Sequence, residues 1–429
     1  MKTRTIGKQR KNQVIPPKAE VAAASLGGAG GPGFLDLLQF GSRAILQQAV
    51  EEEITRHLGR ESYERLAADM ASRGFRNGYR KTTIDTPIGQ VIYNRQRVSG
   101  GTEFHSAYHR PYMRRPEEFA DAVAEMYVTG VSTRKVKKAL KAVAGDEVRL
   151  SRSTVSRITK RLRDEYAVWC TRSLSELNVV YIFFDAIRVG MRIGDTGKDC
   201  VLIAYAVLEN GEFETLSVGL GNTESTRTWE DFIVDLKKRG LKDPLLCISD
   251  GNMGLCSMID KYFETSYRQR CVKHKMENIL GQIPKDKHVS VQPKLNRIFY
   301  GSTSLEQAKQ ALKDFKREYG KIYPSAIARL EDDLDQSLMF YLFPSNHWKR
   351  IRTSNRLERL NKELRRRLRV IGRHPSESGC LSLVFQVCKR YQENKNAFRA
   401  NDLVQALWKR LRNEKLEMIT QLTLDLKAA

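Results

Sequence analysis

Two aspartates in this chain each follow a largely apolar run, a pattern that could place two carboxylates side by side. Asp185 ends the run that begins at Val179, and Asp250 ends the run that begins at Leu245. Each run is predicted to be a buried strand with its Asp at the C-terminal end. Ligands gather at such ends in sheets with parallel strands, so the carboxylates could meet if the strands are neighbours. The alternative for each Asp taken singly is a turn residue that ends a strand.

Two neighbouring carboxylates, such as those of Asp185 and Asp250, are suited to bind a hard cation. Two close carboxylates repel each other, which raises one pKa unless a cation neutralises them. Oxygen ligands of this kind favour Mg²⁺ or Mn²⁺.

A third acid is sought in a strongly basic segment, residues 346–373. The segment holds eleven Lys and Arg residues against two acids, Glu358 and Glu363. It also contains a predicted helical stripe of four leucines, Leu357, Leu360, Leu364 and Leu368. A polyanion is the natural partner of the remaining surface, and a metal ligand at Glu358 would lie where phosphates are held. The alternative is a capping box, in which Glu358 accepts a hydrogen bond at a helix start near Asn355.

The elements between the two aspartates predict how they are positioned. Two further strands are predicted at 201–208 and 214–220, and an amphipathic helix at 226–239. The predicted order is strand, strand, strand, helix, strand, which indicates an α/β fold.

The segments before this core carry basic residues in several patterns. Residues 1–35 combine six Lys and Arg with a run of small residues, which predicts a disordered basic arm, or else a simple solubilising tail. Residues 36–115 contain a helix and a Gly- and Arg-rich stretch with aromatics, a combination that can contact phosphates. A small basic hairpin is the alternative for that stretch.

Residues 116–170 predict helices with a turn. Ser132 is a candidate N-cap of one helix, and Ser151 or Ser153 of the next. The polar face of the latter helix shows Arg157 and Lys160, which favours a helix-turn-helix with a DNA-recognition helix. A plain solvated basic helix in a bundle is the alternative.

Composition narrows the class of partner and the compartment. The formal net charge of +24, from 74 Lys and Arg against 50 Asp and Glu, suits nucleic acid first and an anionic membrane surface second. No run approaches the roughly 20 apolar residues of a membrane span, and no secretory signal is recognisable, so we expect a cytoplasmic protein. The seven cysteines are odd in number and scattered, which argues against a disulfide framework.

Over roughly residues 50–395 the chain resembles the Mutator-like transposases of bacterial insertion sequences. Each shared motif is weak alone, but their common order is highly specific. The motifs are Tyr79 with its Arg-Asn-Gly lead-in, Tyr127-x-x-Gly130-Val-Ser-Thr-Arg, Ser153-Thr-Val-Ser-Arg, Glu224-Ser through Trp229, Arg239-Gly-Leu, Ile248-Ser-Asp-Gly with Gly254-Leu, Gln269-Arg-Cys-x-x-His274, and Thr353-Ser-Asn-x-x-Glu358-Arg-x-Asn-x-Glu-x-Arg-Arg-Arg. The chain departs from the family at Ala186, where Gly is usual.

The resemblance implies a ribonuclease-H-like core with a mixed sheet, whose metal ligands would be Asp185, Asp250 and Glu358. Two ions, Mg²⁺ or Mn²⁺, about 4 Å apart would serve phosphoryl transfer. Cys271 and His274 match a Cys-x-x-His motif of the family. A zinc site would need two more ligands, and no second pair with suitable spacing follows, so a structural or DNA-positioning role is favoured.

The domains expected on this basis are a basic arm at 1–35, an N-terminal DNA-binding region at 36–115, a helix-turn-helix at 116–170, the first part of the catalytic core at 177–283, a helical insertion at 284–344, the second part of the core at 345–395, and a C-terminal helix at 396–429.

The function implied is that of a DNA transposase, which binds the ends of its insertion sequence, cleaves by metal-dependent hydrolysis and joins the 3′-hydroxyl ends to target DNA. Trp348 could stack on an unpaired base at the cut end, or could equally be a core residue. The partners expected are double-stranded DNA, at the element ends and the target, and further copies of the chain in a dimer or larger synaptic complex, associated with a bacterial nucleoid. The phosphate-holding candidates are Arg188, Arg192, Arg352, Arg356, Arg359, Arg365, Arg366 and Arg367.

Three alternatives stay open at this point. A domesticated, catalytically silent DNA-binding protein would keep the basic surface without chemistry. A nuclease would hydrolyse without joining. A membrane-surface protein is the weakest, because no lipid-facing apolar stripe accompanies the cations.

Overall fold

A computed structural model describes residues 34–66, 71–86, 89–101, 103–108, 117–131, 133–144, 152–190, 198–221, 225–371, 376–393 and 398–428. The predicted basic arm therefore lies almost wholly outside the described residues, as do Ser132, Ser151 and Arg192. The chain forms two compact units: Met1–Tyr127 with Val131–Ile158, and Val128–Gly130 with Thr159–Ala429.

The first unit begins with a helix packed on a β-hairpin. Helix α1 (Phe34–Leu58) places Val50 and Ile54 against the antiparallel strands β1 (Phe75–Thr86) and β2 (Gly89–Ser99). This is the hairpin that sequence analysis held as the alternative for the Gly- and Arg-rich stretch.

The rest of the first unit is helical. Helices α2 (Glu117–Val128), α3 (Thr133–Ala144) and the start of α4 (Arg152–Cys170) share a small apolar core. The helices predicted here are confirmed. Ser153 is not an N-cap, because α4 already begins at Arg152 and Ser153 lies within it.

The second unit is built on a five-stranded mixed sheet, so the predicted α/β class is confirmed. Its strands are β3 (Val179–Gly190), β4 (Lys198–Leu208), β5 (Phe213–Gly221), β6 (Leu246–Ser249) and β7 (Tyr267–Arg270), in the spatial order β5-β4-β3-β6-β7. Strands β3, β4 and β5 pair antiparallel, whereas β6 is parallel to both β3 and β7. The second aspartate strand is therefore the direct neighbour of the first.

One face of the sheet is covered by helices α5 (Thr226–Lys238) and α6 (Met253–Tyr262). Ser225 caps α5 by accepting a hydrogen bond from the backbone N–H of Thr228. The buried residues of α5 recur at helical spacing, so one stripe faces the sheet. They are Trp229, Phe232, Ile233 and Leu236.

The chain after β7 is helical. Its α-helices are α7 (Val272–Leu280), α8 (His288–Asn296), α9 (Leu305–Tyr319), α10 (Pro324–Glu331), α11 (Leu334–Leu338), α12 (Ser345–Ile351), α13 (Asn355–Ile371), α14 (Glu377–Glu393) and α15 (Asp402–Ala428), with short turns of other helix at Lys285–Lys287, Arg297–Gly301 and Met339–Leu342. Helix α13 packs against β3, and α14 packs against β5. Residues 284–344 are mostly helical, and the last helix spans Asp402–Ala428.

A buried hydrogen-bond network fastens α15 to the sheet. The indole N–H of Trp408 donates to the Tyr181 hydroxyl at 2.8 Å, and that hydroxyl lies 2.9 Å from Nδ1 of His347. The Arg399 carbonyl can only accept, so Nε2 of His347 donates to it at 2.9 Å. Burial lowers the pKa of His347, and in the neutral imidazole Nδ1 then accepts from the Tyr181 hydroxyl. Sheet and C-terminal helix are thus joined through satisfied buried polar groups.

Three sequence predictions about element ends are wrong. Asp185 does not end its strand, because pairing with β4 extends β3 to Gly190. Helical spacing predicts one helix over 326–339, but this segment breaks at Asp333, whose φ of 49° is left-handed. The sequence also predicts a strand over 267–272, but β7 stops at Arg270 and Val272 starts α7.

In the described part of the chain, no helix is long and apolar enough to cross a membrane.

Candidate active site

Asp185 on β3 and Asp250, the residue that follows the parallel strand β6, are close enough to interact electrostatically. The register pairs Tyr181 with Leu246 and Phe183 with Ile248. Two residues further on, the same register brings Asp185 beside Asp250, and side chains two residues apart share a face. The carboxylates therefore lie on one face of the sheet, the face opposite the α5 and α6 core.

Both oxygens of Asp185 accept hydrogen bonds. The Ala186 backbone N–H donates to Oδ1 at 2.8 Å, and Nδ2 of Asn361 donates to Oδ2 at 2.8 Å. Burial raises the pKa of Asp185 to about 6, and the nearby Asp250 also raises it, against the two hydrogen bonds and His274. The carboxylate is thus held in place but costly to ionise without a neutralising charge.

The methyl of Ala186, where the family usually has Gly, points away from this site. Ala186 packs against the apolar core beneath α5 and α6. Residues alternate across a strand, so its methyl and the Asp185 carboxylate lie on opposite faces. The alanine at position 186 therefore adds no atom near the Asp185 carboxylate.

Asp250 follows the last residue of β6 and also shapes the turn. Its Oδ1 accepts from the Asn252 backbone N–H at 2.9 Å, as the alternative of a turn residue expects. Gly251 has a φ of 88°, and a Cβ there would lie 2.4 Å from Nη1 of Arg270. Only glycine fits this turn without displacing the guanidinium.

Glu358 lies in the first turn of α13. This helix packs against the sheet through its buried stripe of leucines. All four predicted leucines, Leu357, Leu360, Leu364 and Leu368, are buried. Oε2 of Glu358 lies 2.6 Å from Nζ of Lys273 on α7, while its Oε1 is buried without a hydrogen-bond partner. The side chain of Asn355 is outside the described residues, so the capping-box alternative stays untested.

The acids fit a bound cation but are not already arranged around one. Within the described ranges, no three His, Cys, Asp or Glu side chains are close enough to hold a metal ion. Two buried acceptors nevertheless lack any donor, Oε1 of Glu358 and Oδ1 of Asn361. Buried polar atoms are normally satisfied, so each of these oxygens is free to accept from a cation or a hydrogen-bond donor.

Cys271 joins the end of β7 to the segment that leads into α13. Its thiol accepts from the Ser354 backbone N–H at 3.4 Å and lies 3.3 Å from the Ser354 hydroxyl. The next residue, Val272, donates its N–H to the Arg352 carbonyl at 2.8 Å. The contacts connect two segments of the second unit, and the structural or DNA-positioning role of Cys271 stays a prediction.

His274 interacts electrostatically with Cys271 and with both aspartates. Interaction with the Cys271 thiol raises the pKa of His274 to about 9, and Asp250 also raises it. Burial raises the pKa of the Cys271 thiol, but His274 and Ser354 lower it by more. The net effect is a pKa below the usual value. These interactions favour the protonated form of His274.

A basic groove in the second unit lies between the end of β3 and α13. Arg188, beyond Asp185 on β3, is exposed and faces the cationic side of α13. The groove is lined by Arg188, Val189, Lys362, Arg365, Arg366, Leu368 and Arg369. Its concentration of guanidinium and ammonium groups can hold phosphates.

The other predicted DNA contacts are placed differently. Arg366 and Arg367 bond Glu363 at 2.8 and 2.6 Å. The Arg352 guanidinium packs over the Tyr300 ring, 4.4 Å from its centroid. Arg359, on α13, and Arg157 and Lys160, on α4, are exposed, and the side chain of Arg356 lies outside the described residues.

Trp348 is packed among aromatic residues. Its indole N–H donates to the Phe343 carbonyl at 2.7 Å, and its ring centroid lies 4.8 Å from that of Tyr341. These are the surroundings expected of the core alternative, and base stacking stays a prediction.

Lys273 and Asn361 each touch a candidate acid, although the sequence predicts no role for either residue. Both lie inside quoted motifs: Lys273 within Cys-x-x-His, and Asn361 in the segment after Glu358. The sequence signal for each residue is therefore only its position within a motif. The partner is distant in sequence in both cases: Glu358 for Lys273 and Asp185 for Asn361.

Comparison with known proteins identifies the family. The profile "Transposase, Mutator family" matches residues 29–397. The transposase for insertion sequence element ISRM5 of Rhizobium meliloti is 33% identical, with 82% of this chain and 87% of that protein covered. The transposase for insertion sequence element IS256 in transposon Tn4001 of Staphylococcus aureus is 31% identical, covering 79% and 86%.

Among solved structures, the Drosophila P element transposase strand transfer complex matches 69% of this chain and 91% of its own, at 11% identity and a TM-score of 0.27, too low to support a conclusion about the fold. The family profile and the identities of these relatives are sufficient by themselves: the chain belongs to the Mutator family of transposases.

Proposed function

We propose that this transposase cuts and joins DNA through a metal site formed by Asp185, Asp250 and Glu358. The five-stranded sheet would be a ribonuclease-H-like core, and helices α2 to α4 would include a helix-turn-helix that binds element ends. The proposal rests on the register of β3 and β6, which brings Asp185 beside Asp250. Helix α13, which bears Glu358, packs against β3.

The residues present suit one or two Mg²⁺ or Mn²⁺ ions. Asp185, Asp250 and Glu358 would together hold the ions. When bound, such ions polarise the attacked phosphate and lower the pKa of the attacking water. Binding would also offset the burial and the repulsion from Asp250 that raise the pKa of Asp185.

The chain's own cations would hold the DNA on either side of the reacting phosphate. Arg188 and Arg365 line the basic groove, and Arg188 lies three residues beyond Asp185. Hydrolysis breaks the bond between phosphorus and the 3′ oxygen, which leaves a free 3′-hydroxyl. That hydroxyl then attacks a target phosphate and displaces its 3′ oxygen, so one site serves both steps. Joining two ends favours a dimer or larger synaptic complex.

The test uses purified protein, Mg²⁺ or Mn²⁺, and labelled DNA from the immediate flanks of the protein's own gene. The intact chain should yield cut and joined products, and Asp250→Asn and Glu358→Gln should yield neither while binding the DNA within a few fold. Asp231→Asn, an exposed acid on α5, is the matched control and should behave as the intact chain.

Other outcomes identify the alternatives. Cutting by Glu358→Gln would remove Glu358 as third ligand. Cutting without joining would indicate a nuclease. Specific, metal-independent binding without cutting would indicate a silent DNA-binding protein.

A further inference from the structure

Asn361 touches the first acid from the helix that carries the third. It lies three residues after Glu358, so both side chains project from one side of α13. Only 3% of Asn361 is exposed. Its Nδ2 donates to Asp185 Oδ2 at 2.8 Å, and its Oδ1 is buried without a partner.

We propose that Asn361 is a positioning residue for Asp185, which fixes the carboxylate for cation binding. The inference rests on the proposed function, since it assigns Asp185 to the metal site. With the Ala186 N–H on one oxygen and Asn361 on the other, the carboxylate cannot rotate without breaking a hydrogen bond. The unpaired Oδ1 is the acceptor left for an O–H donor that enters with the cation or the DNA.

An amide suits this position better than a charged group. It donates to Asp185 without adding a negative charge beside Asp185 and Asp250. The same hydrogen bond fixes the position of α13 along β3, and therefore the position of Glu358 relative to Asp185. A buried amide with a merely structural role would affect the stability of the fold but not the affinity for a cation.

The test measures Mn²⁺ binding by electron paramagnetic resonance in the absence of DNA, together with Tm. Asn361→Leu and Asn361→Ala both remove the donor, and the former nearly keeps the side-chain volume. We expect Mn²⁺ affinity to fall about tenfold in each, the effect of losing one charge-assisted hydrogen bond. Gln386→Leu is the control, a buried amide on α14 that bonds Glu165 instead of a candidate acid.

Two results would overturn the inference in different ways. If the Asn361 variants bind Mn²⁺ within twofold of the intact chain while Asp185→Asn loses binding, Asn361 has no positioning role and the proposed metal site stands. If Asp185→Asn binds Mn²⁺ as the intact chain does, the metal site itself fails, and the role of Asn361 with it. Loss of affinity in Gln386→Leu equal to that in Asn361→Leu would show a general effect of instability.

Discussion

At the scale of single residues, the contact between Lys273 and Glu358 puts one of the chain's own cations at the third acid. Nζ and Oε2 are 2.6 Å apart, and the two side chains are 41% and 20% exposed. Glu358 is therefore partly neutralised before any metal binds. A cation that enters the site has to compete with Lys273 for that oxygen.

We expect Lys273→Met to destabilise the metal-free protein and to enhance its response to metal. The free energy of unfolding should fall by about 1 kcal/mol, a value kept small because Lys273 is well exposed. Mn²⁺ should then raise Tm more in the variant than in the intact chain, since no ammonium competes for Glu358. Thermal unfolding with and without Mn²⁺ measures both effects.

The control for that change is Lys285→Met, which removes an exposed lysine in the Lys285–Lys287 turn with the same loss of charge. It should respond to Mn²⁺ as the intact chain does. Equal Mn²⁺ shifts in Lys273→Met and the intact chain would show that Lys273 does not compete with the cation.

How far single residues could be predicted depends on whether their partners are local. Asp185 and Asp250 followed from apolar runs that each end in an acid, a pattern within one strand. Lys273 and Asn361 did not, because their partners are 85 and 176 residues away in sequence. Such contacts exist only after α7 and α13 have packed on the sheet, and no periodicity encodes them.

At the scale of elements, helix α13 combines an apolar stripe with an internal ion-pair cluster. Glu363 accepts from Nε of Arg366 at 2.8 Å and from Nε of Arg367 at 2.6 Å. The hydrogen bond from Arg366, with the help of Arg367, lowers the pKa of Glu363 to about 2. The helix thus keeps two cations in place with one acid.

The lowered pKa makes the contribution of Glu363 depend on pH with a definite sign. The folded chain holds the carboxylate more strongly than the unfolded chain, where the pKa is about 4.5. Its stabilisation is therefore complete above about pH 4.5 and is lost as the pH falls toward 2. We expect Glu363→Gln to cost about 1 kcal/mol near neutral pH, because Arg366 is mostly exposed, and less in acid.

Urea unfolding between about pH 7 and pH 3 checks this trend. The difference between Glu363→Gln and the intact chain should shrink below about pH 4.5. Glu417→Gln, an exposed acid on α15, provides the comparison and should show no such trend. A Glu363→Gln difference that persists unchanged at about pH 3 would contradict the ion-pair account.

Element types were predicted better than element ends, for reasons visible in β3 and the insertion. The apolar run of β3 predicted its strand, but its last residues owe their strand structure to pairing with β4. Helical spacing in 326–339 did not reveal the break at Asp333, whose carboxylate bonds Arg270 at 2.6 Å. In both places a distant partner, and not local propensity, sets where the element ends.

At the scale of the whole molecule, the charge of +24 is distributed over surfaces of different kinds. Some cations of α13 are held by Glu363, and Arg352 packs over an aromatic ring, whereas Arg188, Lys362, Arg365 and Arg369 line one groove with exposed side chains. Composition predicted a polyanionic partner, but only packing shows which cations share a surface. That distribution determines which charges should contribute to DNA binding.

Binding of non-specific duplex DNA should therefore depend on where a charge is removed, and not only on net charge. Each phosphate contact contributes about 0.9 to the slope of log affinity against log salt concentration. Arg365→Gln should lower the magnitude of that slope by about 0.9 and weaken binding similarly for all sequences. Lys313→Gln removes the same charge from an exposed position on α9, outside the groove, and should leave the slope unchanged. Fluorescence anisotropy across a salt series gives both slopes. Equal slopes for the two variants would mean that the groove does not hold DNA and that the cations act only as a diffuse positive field.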